Sequence, residues 1–341
     1  MRIERIVLLG TAALAASSGC LAQEFPQLRR IAADVYAAIQ PATQRFDDCN
    51  ATIVLLDDGV LVVDTHNAPS TARAVIAEIK KLTPKPVRWV VDTHWHGDHT
   101  QGNRAYREAF PGVQILAHRN TREDIEKRGI PDLAEQLAEL PRQIAEAEQR
   151  LTTLSGEERD QLGGRIERRK RQLEQLREVG TIALPDATFD GALTLHGSAG
   201  EVRLLHFPGH TNGDLVVHLP RQRVLVTGDL LDDLPYTGHG SPAGLVQTLG
   251  QLAALDWETM IPGHGSVRTG REHLARVRAL FASIVEQTAA AVRAGKSKED
   301  TVQQVDLARF ESAFVTDDVS RRYWGFFMGE AVRRAYDEAK P

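Results

Sequence analysis

The sequence predicts an α/β sandwich, because short apolar runs typical of strands occur in two groups, with segments of helical pattern between them. The first group lies between residues 50 and 117 and the second between residues 192 and 227. The 341 residues, 42% apolar and 26% charged, have the composition of a globular protein with a substantial core. A formal net charge of −5 is too acidic for nucleic-acid binding, so we expect no nucleic-acid partner.

The N-terminal segment, residues 1–22, predicts a secretory signal peptide. Arg2 and Arg5 precede an uncharged run that ends at Ala22 and is too short in its apolar part to span a bilayer. Two kinds of processing fit: cleavage after Ala22, which we favour, and lipid attachment at Cys20. Both predict an exported, periplasmic protein without a membrane-spanning segment. After cleavage Cys49 is the sole cysteine, so we expect no internal disulfide.

The first predicted strands form a β-hairpin. Two apolar runs, residues 50–55 and 60–64, flank Asp57, Asp58 and Gly59. An Asp-Gly step suits the tight type I′ turn that joins antiparallel strands. We therefore expect the mature chain to begin with β structure.

Helices and strands alternate after this hairpin. Apolar residues at helical spacing predict a helix that Ser70 caps and that Pro84 and Pro86 end, and a buried strand follows at residues 87–91. The other predicted elements are a helix that begins near Gln101 and strands at residues 113–117, 192–196, 202–207, 215–219 and 223–227.

Residues 119–180 are charged and helical in pattern, and they predict an inserted helical hairpin. Its first arm has a heptad seam made of Leu133, Leu137, Leu140, Ile144, Ala147, Leu151 and Leu154. Its second arm continues with Leu162, Ile166, Leu173 and Leu176. We expect Pro141 to kink or restart the first arm. A self-packed insertion is the favoured interpretation, and a lid or an arm that forms a homodimer is the alternative.

Residues 266–341 predict a helical C-terminal extension, with helices at residues 274–291 and 319–339. The second of these helices carries four aromatic residues, Tyr323, Trp324, Phe326 and Phe327. We expect these aromatic side chains to pack in a core rather than to line a binding site.

The strongest chemical signal directly follows the strand at residues 87–91. Here His94, His96, Asp98 and His99 form the pattern H-x-H-x-D-H, which residue frequencies place in a chain of this length with a chance probability of about one in a thousand. Two imidazoles two residues apart at a strand end can bind one metal ion, while Asp98 and His99, beyond a glycine bend, can face a second ion. One loop therefore predicts parts of two metal sites.

Three further side chains of ligand type follow short apolar strands elsewhere in the chain. They are His210, Asp229 and His264, and each is flanked by glycine or proline, which lets the backbone turn sharply. Sheet proteins present site residues at such turns. Singly each residue is ambiguous, but the loop with four ligand-type residues needs partners of this kind to complete its sites.

In this combination the chain resembles the metallo-β-lactamase superfamily, which includes zinc β-lactamases, glyoxalase II, lactonases and arylsulfatase-like hydrolases. The resemblance runs from about Asn50 to Gly265, the helical insertion excepted. It implies an αββα four-layer sandwich with a two-metal site at one edge of the sheets, and a catalytic domain over residues 23–265 that the hairpin interrupts. The implied ligands are His94, His96 and His210 for a first zinc ion and Asp98, His99 and His264 for a second, with Asp229 as the bridge.

This ligand set suits a hydrolase with two Zn²⁺ ions. Neutral imidazoles and carboxylates are ordinary zinc ligands, and a water shared by two ions loses a proton near neutral pH. We expect the resulting metal-bridging hydroxide to attack an ester, lactone, amide or β-lactam bond of a small molecule. Asp98 is the predicted catalytic residue as well as a ligand, and iron is the alternative metal.

Three further residues are predicted to lie around the metals. Asp64 stands where the family keeps an aspartate that supports the metal loop. His118, at a strand end, and His239, on the loop after Asp229, are candidates for the rim of the substrate site. The remaining histidines are expected to have structural or surface roles: His66, His196, His206, His218 and His273.

Asp229 also narrows the choice within the superfamily. The β-lactamase subclass with a cysteine ligand would need that cysteine at Asp229, so this subclass does not fit. Two other functions stay open: an iron-dependent, sulfur dioxygenase-like enzyme of the same fold, and a non-catalytic periplasmic metal-binding module whose hairpin binds a partner. Metal analysis separates them from a zinc hydrolase, because two zinc ions, one iron or a closed structural site are different outcomes.

Overall fold

The computed structural model describes residues 25–197 and 200–340. Within them the centre of the fold is a seven-stranded sheet and a six-stranded sheet. The first sheet contains, in spatial order, β1 (Gln27–Ala32), β2 (Val35–Ile39), β3 (Ala51–Leu55), β4 (Val60–Val63), β5 (Val87–Val91), β6 (Gln114–His118) and β7 (Ala187–Phe189). The second contains β8 (Ala192–Gly197), β9 (Gly200–His206), β10 (Leu215–Leu219), β11 (Val224–Val226), β12 (Thr259–Ile261) and β13 (Arg268–Thr269).

Helices cover the outer faces of both sheets and form the two appended segments. Before and within the insertion they are α1 (Pro69–Leu82), α2 (Gly97–Thr100), α3 (Asn103–Ala109), α4 (Arg119–Asp124), α5 (Ile130–Leu151) and α6 (Gly156–Val179). After the second sheet begins they are α7 (Pro242–Leu252), α8 (Glu272–Arg293), α9 (Lys298–Gln304), α10 (Ala308–Phe314) and α11 (Asp318–Ala339).

Apolar cores join these elements into layers. Val63 and Leu116 of the first sheet pack against Val217 of the second, while Tyr106 belongs to the core between the first sheet and helices α1 and α3. Phe281 belongs to the core that attaches α7, α8 and α11 to the second sheet. Burial on both faces explains why the central strands β3, β4, β10 and β11 are almost continuously apolar. The predicted αββα sandwich, with its helical insertion and helical C-terminal region, is confirmed.

The strand pairing places several strand ends at one edge of the fold. β3 and β4 are antiparallel neighbours, as the Asp-Gly turn predicts, whereas β4, β5 and β6 pair in parallel. In the second sheet β11 and β12 are also parallel. Because parallel strands end at the same edge, residues that follow them are brought together there.

The insertion is a hairpin of α5 and α6 that packs on itself. Leu133, Leu140 and Ile144 of the first arm share one buried cluster with Leu162 and Ile166 of the second. The apolar seam is therefore buried between the two arms of the hairpin, as a self-packed insertion requires. The predicted restart at Pro141 is wrong, because α5 is a single helix that continues through this proline.

Other local expectations differ from the structure at element ends. α1 begins at Pro69 with Ala68 at the N-cap, so Ser70 lies inside the helix and is not its cap; a proline in the first turn suits a helix start without a side-chain cap. The helix expected near Gln101 is two short helices, α2 and α3. The sequence analysis missed the hairpin of β1 and β2 and the short edge strand β7.

The predicted signal segment, including Cys20 and Ala22, lies outside the described residues. None of the described helices has the length and apolar character needed to cross a bilayer.

Candidate metal centre

The ligand-type side chains predicted from the sequence lie where strands end. β5 ends at Val91, and the loop after it carries His94 and His96. α2 follows at once and presents Asp98 and His99. The first sheet therefore supplies four of the seven predicted ligands from one strand end.

The second sheet supplies the other three. His210 lies in the turn between β9 and β10, Asp229 in a short 3₁₀ helix after β11, and His264 in the loop after β12. Since β11 and β12 are parallel neighbours, Asp229 and His264 emerge at the same edge. The structure brings all seven residues together in two groups that could hold metal ions.

The first group consists of His94, His96, His210 and Asp229, whose ligand atoms lie within 4.8 Å of one another. His96 Nδ1 lies 2.9 Å from His94 Nε2 and 3.0 Å from His210 Nε2. Asp229 Oδ2 lies 3.4 Å from His210 Nε2 and 3.7 Å from His94 Nε2. Three imidazoles and a carboxylate oxygen thus face a common centre.

The second group consists of Asp98, His99 and His264. Asp98 Oδ2 lies 3.0 Å from His264 Nε2 and 3.4 Å from His99 Nε2. Asp229 is close to this group as well, with Oδ1 3.2 Å from His99 Nε2 and Oδ2 3.5 Å from His264 Nε2. Asp229 therefore lies between the two groups, where a bridging ligand would be.

Four of the histidines are oriented through Nδ1, the ring nitrogen that faces away from the cluster. The contacts are His94 with Thr93 Oγ1 at 3.1 Å, His99 with the Asp64 carboxylate at 2.9 Å, His210 with the Tyr236 carbonyl at 2.6 Å and His264 with the Arg45 carbonyl at 2.9 Å. Such outer contacts fix the tautomer of a ligand histidine and direct its other nitrogen towards the metal.

Asp64 supports the ligand loop from the end of β4. Its carboxylate accepts hydrogen bonds from the Thr93 backbone N–H at 2.8 Å and from the Thr93 hydroxyl at 2.9 Å, in addition to its contact with His99. The φ angle of Asp64 is 62°, a left-handed conformation uncommon outside glycine. Such backbone strain persists where the surrounding contacts hold it, and it often marks functional sites.

Hydrogen bonds and close packing also hold His210 and Asp229 in place. Asp214 accepts a hydrogen bond from the backbone N–H of His210 at 2.8 Å and so fixes that turn. Close packing at Asp229 requires a glycine, because a Cβ at Gly263 would lie 2.0 Å from Asp229 Oδ1. Position 214 therefore needs a hydrogen-bond acceptor and position 263 needs a residue without a Cβ.

The two histidines proposed for the rim of the site have different surroundings. His239 Nδ1 lies 2.8 Å from His96 Nε2, so His239 orients the ring of that histidine and lines the cavity beside it. His118 caps α4, where its Nδ1 accepts a hydrogen bond from the Asn120 N–H, and its ring stacks on His206 at 3.7 Å. His118 is not among the described residues that line the cavity.

The other histidines belong to neither of the two groups. His218 and His273 contact backbone carbonyl groups, and His196 is exposed. His66, for which the sequence indicated no partner, lies with Asp48 and Cys49 in a further buried group of ligand-type atoms.

The histidines of the cluster include two pairs with opposite pKa shifts. Burial, followed by neighbouring imidazoles, lowers the pKa of His94 and His96 well below the usual histidine value, so both are neutral. Burial also lowers the pKa of His99 and His264, but nearby carboxylates, Asp229 first, outweigh it and raise both values. Burial raises the pKa of Asp229, and the surrounding histidines reverse this shift and keep the group ionised.

The donor atoms also fit a pair of cations. His99 Nε2 and Asp229 Oδ1 are buried without a hydrogen-bond partner among the described residues, and such buried orphan atoms call for an explanation. His94 and His210 each present Nε2 to His96 Nδ1, and one proton there can satisfy only one of them. A cation in each group would accept these lone pairs, so the residues present fit two metal ions.

A cavity of about 380 Å³ opens in front of the cluster. Asp98, Asp229 and His264 lie in its wall, and so do residues that the sequence analysis missed or expected in a core. These lining residues include Phe46, Trp95 and Leu234. They also include Tyr323, Phe326 and Phe327, which were expected in a core. Tyr323, Trp324 and Phe327 pack against the core, as expected. The expectation that the aromatic residues of α11 would not line a site is wrong for Tyr323, Phe326 and Phe327.

Asp232 is a further ligand-type residue of the site that was not singled out from the sequence. It is buried, forms a ligand-type group with Asp229 and His264, and accepts a hydrogen bond from the His264 backbone N–H at 2.8 Å. Its position three residues after Asp229 on the same loop was the available signal. The loop at residues 67–69 is not among the described segments that line the cavity.

A family model described as the metallo-beta-lactamase superfamily matches residues 45–264. The chain belongs to the metallo-beta-lactamase superfamily. The match covers both sheets from β3 to β12 and all seven candidate ligands, and it ends before the C-terminal helices.

Two curated members of the superfamily resemble the chain in sequence. One is a linear primary-alkylsulfatase from Pseudomonas sp., 26% identical over 298 residues, which are 82% of this chain and 53% of the relative. The other is a hydroxyacylglutathione hydrolase from Gloeobacter violaceus, 25% identical over 221 residues, which are 62% of each protein. The chain thus spans between about half and three fifths of the length of these relatives.

Solved structures share the fold. The stereoselective inverting sec-alkylsulfatase Pisa1 from Pseudomonas sp. matches with a TM-score of 0.64 and 17% identity, over 92% of this chain and 50% of that chain. A metallo-beta-lactamase from Pontibacter korlensis matches with a TM-score of 0.54 and 17% identity, over 75% of this chain and 99% of that chain. At such identities the likeness concerns the fold of the superfamily.

Proposed function

We propose that the protein is an exported, zinc-dependent hydrolase that cleaves an ester, lactone, amide or β-lactam bond in a small molecule, with sulfate esters as a further substrate class. The observation that carries this proposal is the pair of ligand groups that share Asp229. The names of the two curated relatives, which are both hydrolases, support it.

The residues would hold the ions as follows: His94, His96 and His210 one, Asp98, His99 and His264 the other, with Asp229 between them. Bound there, two ions would supply Lewis-acid chemistry, since they lower the pKa of water and stabilise negative charge on the group under attack. With Asp229 shared, each ion would have four protein ligands. Members of both groups, among them His96, Asp98 and Asp229, line an open cavity, so water could reach the ions there, unlike in a closed structural site.

The chain's own groups then bind the substrate and handle its protons. Asp98 is the partly exposed carboxylate of the cluster and lines the cavity, so its carboxylate can hold the proton that the attacking water loses. The contacts through Asp64, Thr93 and the two carbonyl groups keep the histidine rings fixed during the reaction.

The test combines metal analysis with assays of the purified full chain. We expect about two zinc ions per chain and turnover of at least one substrate among an aryl ester, a lactone, a thioester, an alkyl sulfate and a chromogenic β-lactam. His94→Ala and Asp98→Asn should abolish turnover with the fold retained, whereas exposed His196→Ala should match the parent protein.

Three outcomes would contradict the proposal. Full activity of either ligand variant at verified low trace metal would exclude the metal centre as the source of activity. One iron per chain with sulfur oxygenation would identify the dioxygenase-like alternative. Two tightly held ions with no turnover of any substrate class would favour the non-catalytic module.

A further inference from the structure

The cavity in front of the metal centre also has an apolar compartment. We infer that it selects a substrate whose non-reacting part is an uncharged alkyl or aryl group, and that Phe326 is a specificity-determining residue. This inference deepens the proposed function and rests on it for the identity of the site.

One wall is the face of α11. Tyr323, Phe326 and Phe327 are three and four residues apart, which places them on one side of a helix, and all three line the cavity. Tyr236 of the loop after Asp229 completes this wall, with ring centroids 4.9 Å from Phe327 and 6.3 Å from Phe326. A continuous aromatic surface therefore begins beside the ligand loop and extends away from it.

α11 is fixed to the loops that build the metal centre. Asp317, at its N-cap, accepts hydrogen bonds from Arg45 at 2.7 and 2.8 Å, and the carbonyl of Arg45 holds His264. The Tyr323 hydroxyl donates to Asp47 Oδ1 at 2.6 Å. The aromatic wall is thus already in place and costs little further ordering when a ligand binds.

The opposite wall comes from the helical insertion and the ligand loop. Leu133 of α5 and Gly129 before it line the cavity, and so does Trp95, which stands between two candidate ligands in sequence. Trp95 packs in the same apolar cluster as Leu133. The substrate compartment therefore lies between two segments, the hairpin and α11, that flank the sandwich.

The charges of the lining disfavour a second anionic group on the substrate. Apart from Asp98, Asp229 and Asp232 at the metal centre, the charged side chain among the described lining residues is Asp132, an acid. No lysine or arginine in the described part of the chain lines the cavity. Glutathione conjugates and β-lactam antibiotics carry carboxylates away from the bond that is cleaved, and the lining offers these groups no lysine or arginine. Arg128 stacks on Trp95, with its guanidinium carbon 5.2 Å from the ring centroid, but is not itself a lining residue.

Phe326 is exposed to solvent beside the cavity. This side chain is 59% exposed, and large exposed aromatic groups beside a cavity commonly mark a binding surface. A substrate alkyl or aryl group that packs on Phe326 would remove apolar surface of both the substrate and the Phe326 side chain from water. Each methylene buried in this way contributes about 0.8 kcal/mol, or about a fourfold gain in affinity.

The test measures binding and does not depend on turnover. Calorimetric titration of the metal-loaded full chain compares butyrate, octanoate and suberate, the last being the eight-carbon acid with a second carboxylate at the far end. We expect octanoate to bind at least about tenfold more tightly than butyrate, because part of its four extra methylenes is buried. Suberate should lose most of this gain.

Substitutions of Phe326 test whether this residue causes the preference for octanoate over butyrate. Phe326→Asp should weaken octanoate binding at least about tenfold and leave butyrate binding within about twofold, while Phe326→Leu should retain the chain-length preference. Phe25→Asp, at another exposed phenylalanine that does not line the cavity, is the matched control and should not change binding.

Equal affinities for butyrate and octanoate, or a suberate affinity equal to that of octanoate, would overturn the inference. Turnover without any chain-length preference would leave the proposed function intact and refute this compartment. Tight octanoate binding that depends on Phe326, without hydrolysis of any substrate, would support the compartment and refute the proposed function instead.

Discussion

The residues of the metal centre orient one another through hydrogen bonds and ion pairs. His99 has one ring nitrogen against Asp64 and the other between Asp98 and Asp229. Asp64 in turn uses its second oxygen on the Thr93 backbone. Removal of such an outer contact changes the orientation and basicity of a ligand without removing the ligand itself.

Asp64→Asn should therefore weaken metal binding at the second group. An amide cannot supply the same ionic contact to His99, and loss of an outer partner of this kind costs about 10–100-fold in metal affinity. Competitive titration with a zinc-binding dye would measure this loss. Asp34→Asn is the matched control, because Asp34 also has a left-handed φ of 61° but lies in an exposed turn. Unchanged zinc affinity of Asp64→Asn would remove Asp64 from its supporting role.

At the scale of elements, the insertion forms a core of its own. Ile166 of α6 is 3% exposed and packs with Leu133 and Ile144 of α5. A seam that is filled within the chain has little apolar surface left for a second copy. We therefore expect the hairpin to act as a wall of the cavity rather than as a dimerisation arm.

Ile166→Ala should destabilise the hairpin by about 2–5 kcal/mol, the usual cost of this truncation in a core. Amide hydrogen exchange should become faster in α5 and α6 and change little in the sheets, since local units can open separately. Gln149→Ala, on the exposed side of α5, is the control. Conversion of a stable dimer into a monomer by Ile166→Ala, measured by light scattering, would show instead that the seam binds a partner.

The sequence predicts those elements whose pattern is dictated by burial. β4 is recognisable because all its residues are buried, and β5 because three of its five are buried valines. The ligand loop after β5 is recognisable because metal binding demands few residue types. β1 was missed because its residues are largely exposed and carry charge, which resembles a loop. The aromatic residues of α11 were misplaced because an apolar helix face looks the same whether it meets a core or a cavity.

At the scale of the whole molecule, the metal centre joins the two sheets. His94 to His99 extend from the first sheet, whereas His210, Asp229 and His264 extend from the second. Repulsion and unpaired atoms would remain at this junction if no cation bound there. Metal binding should therefore stabilise the complete sandwich and not the ligand loops alone.

Chelation should consequently lower the thermal midpoint of the full chain. A ligand that binds the folded state alone stabilises it by about 2.7 kcal/mol at a free concentration of 100 times its Kd, and two ions contribute twice. Differential scanning fluorimetry with excess zinc and then with chelator should therefore show a fall of several degrees, reversed when zinc is restored. His94→Ala should lose much of this response because one group can no longer hold its ion, whereas exposed His196→Ala should retain it. The same midpoint with zinc and with chelator, at verified removal of metal, would contradict a centre that joins the sheets, since linkage requires any ion bound only by the folded chain to raise its stability.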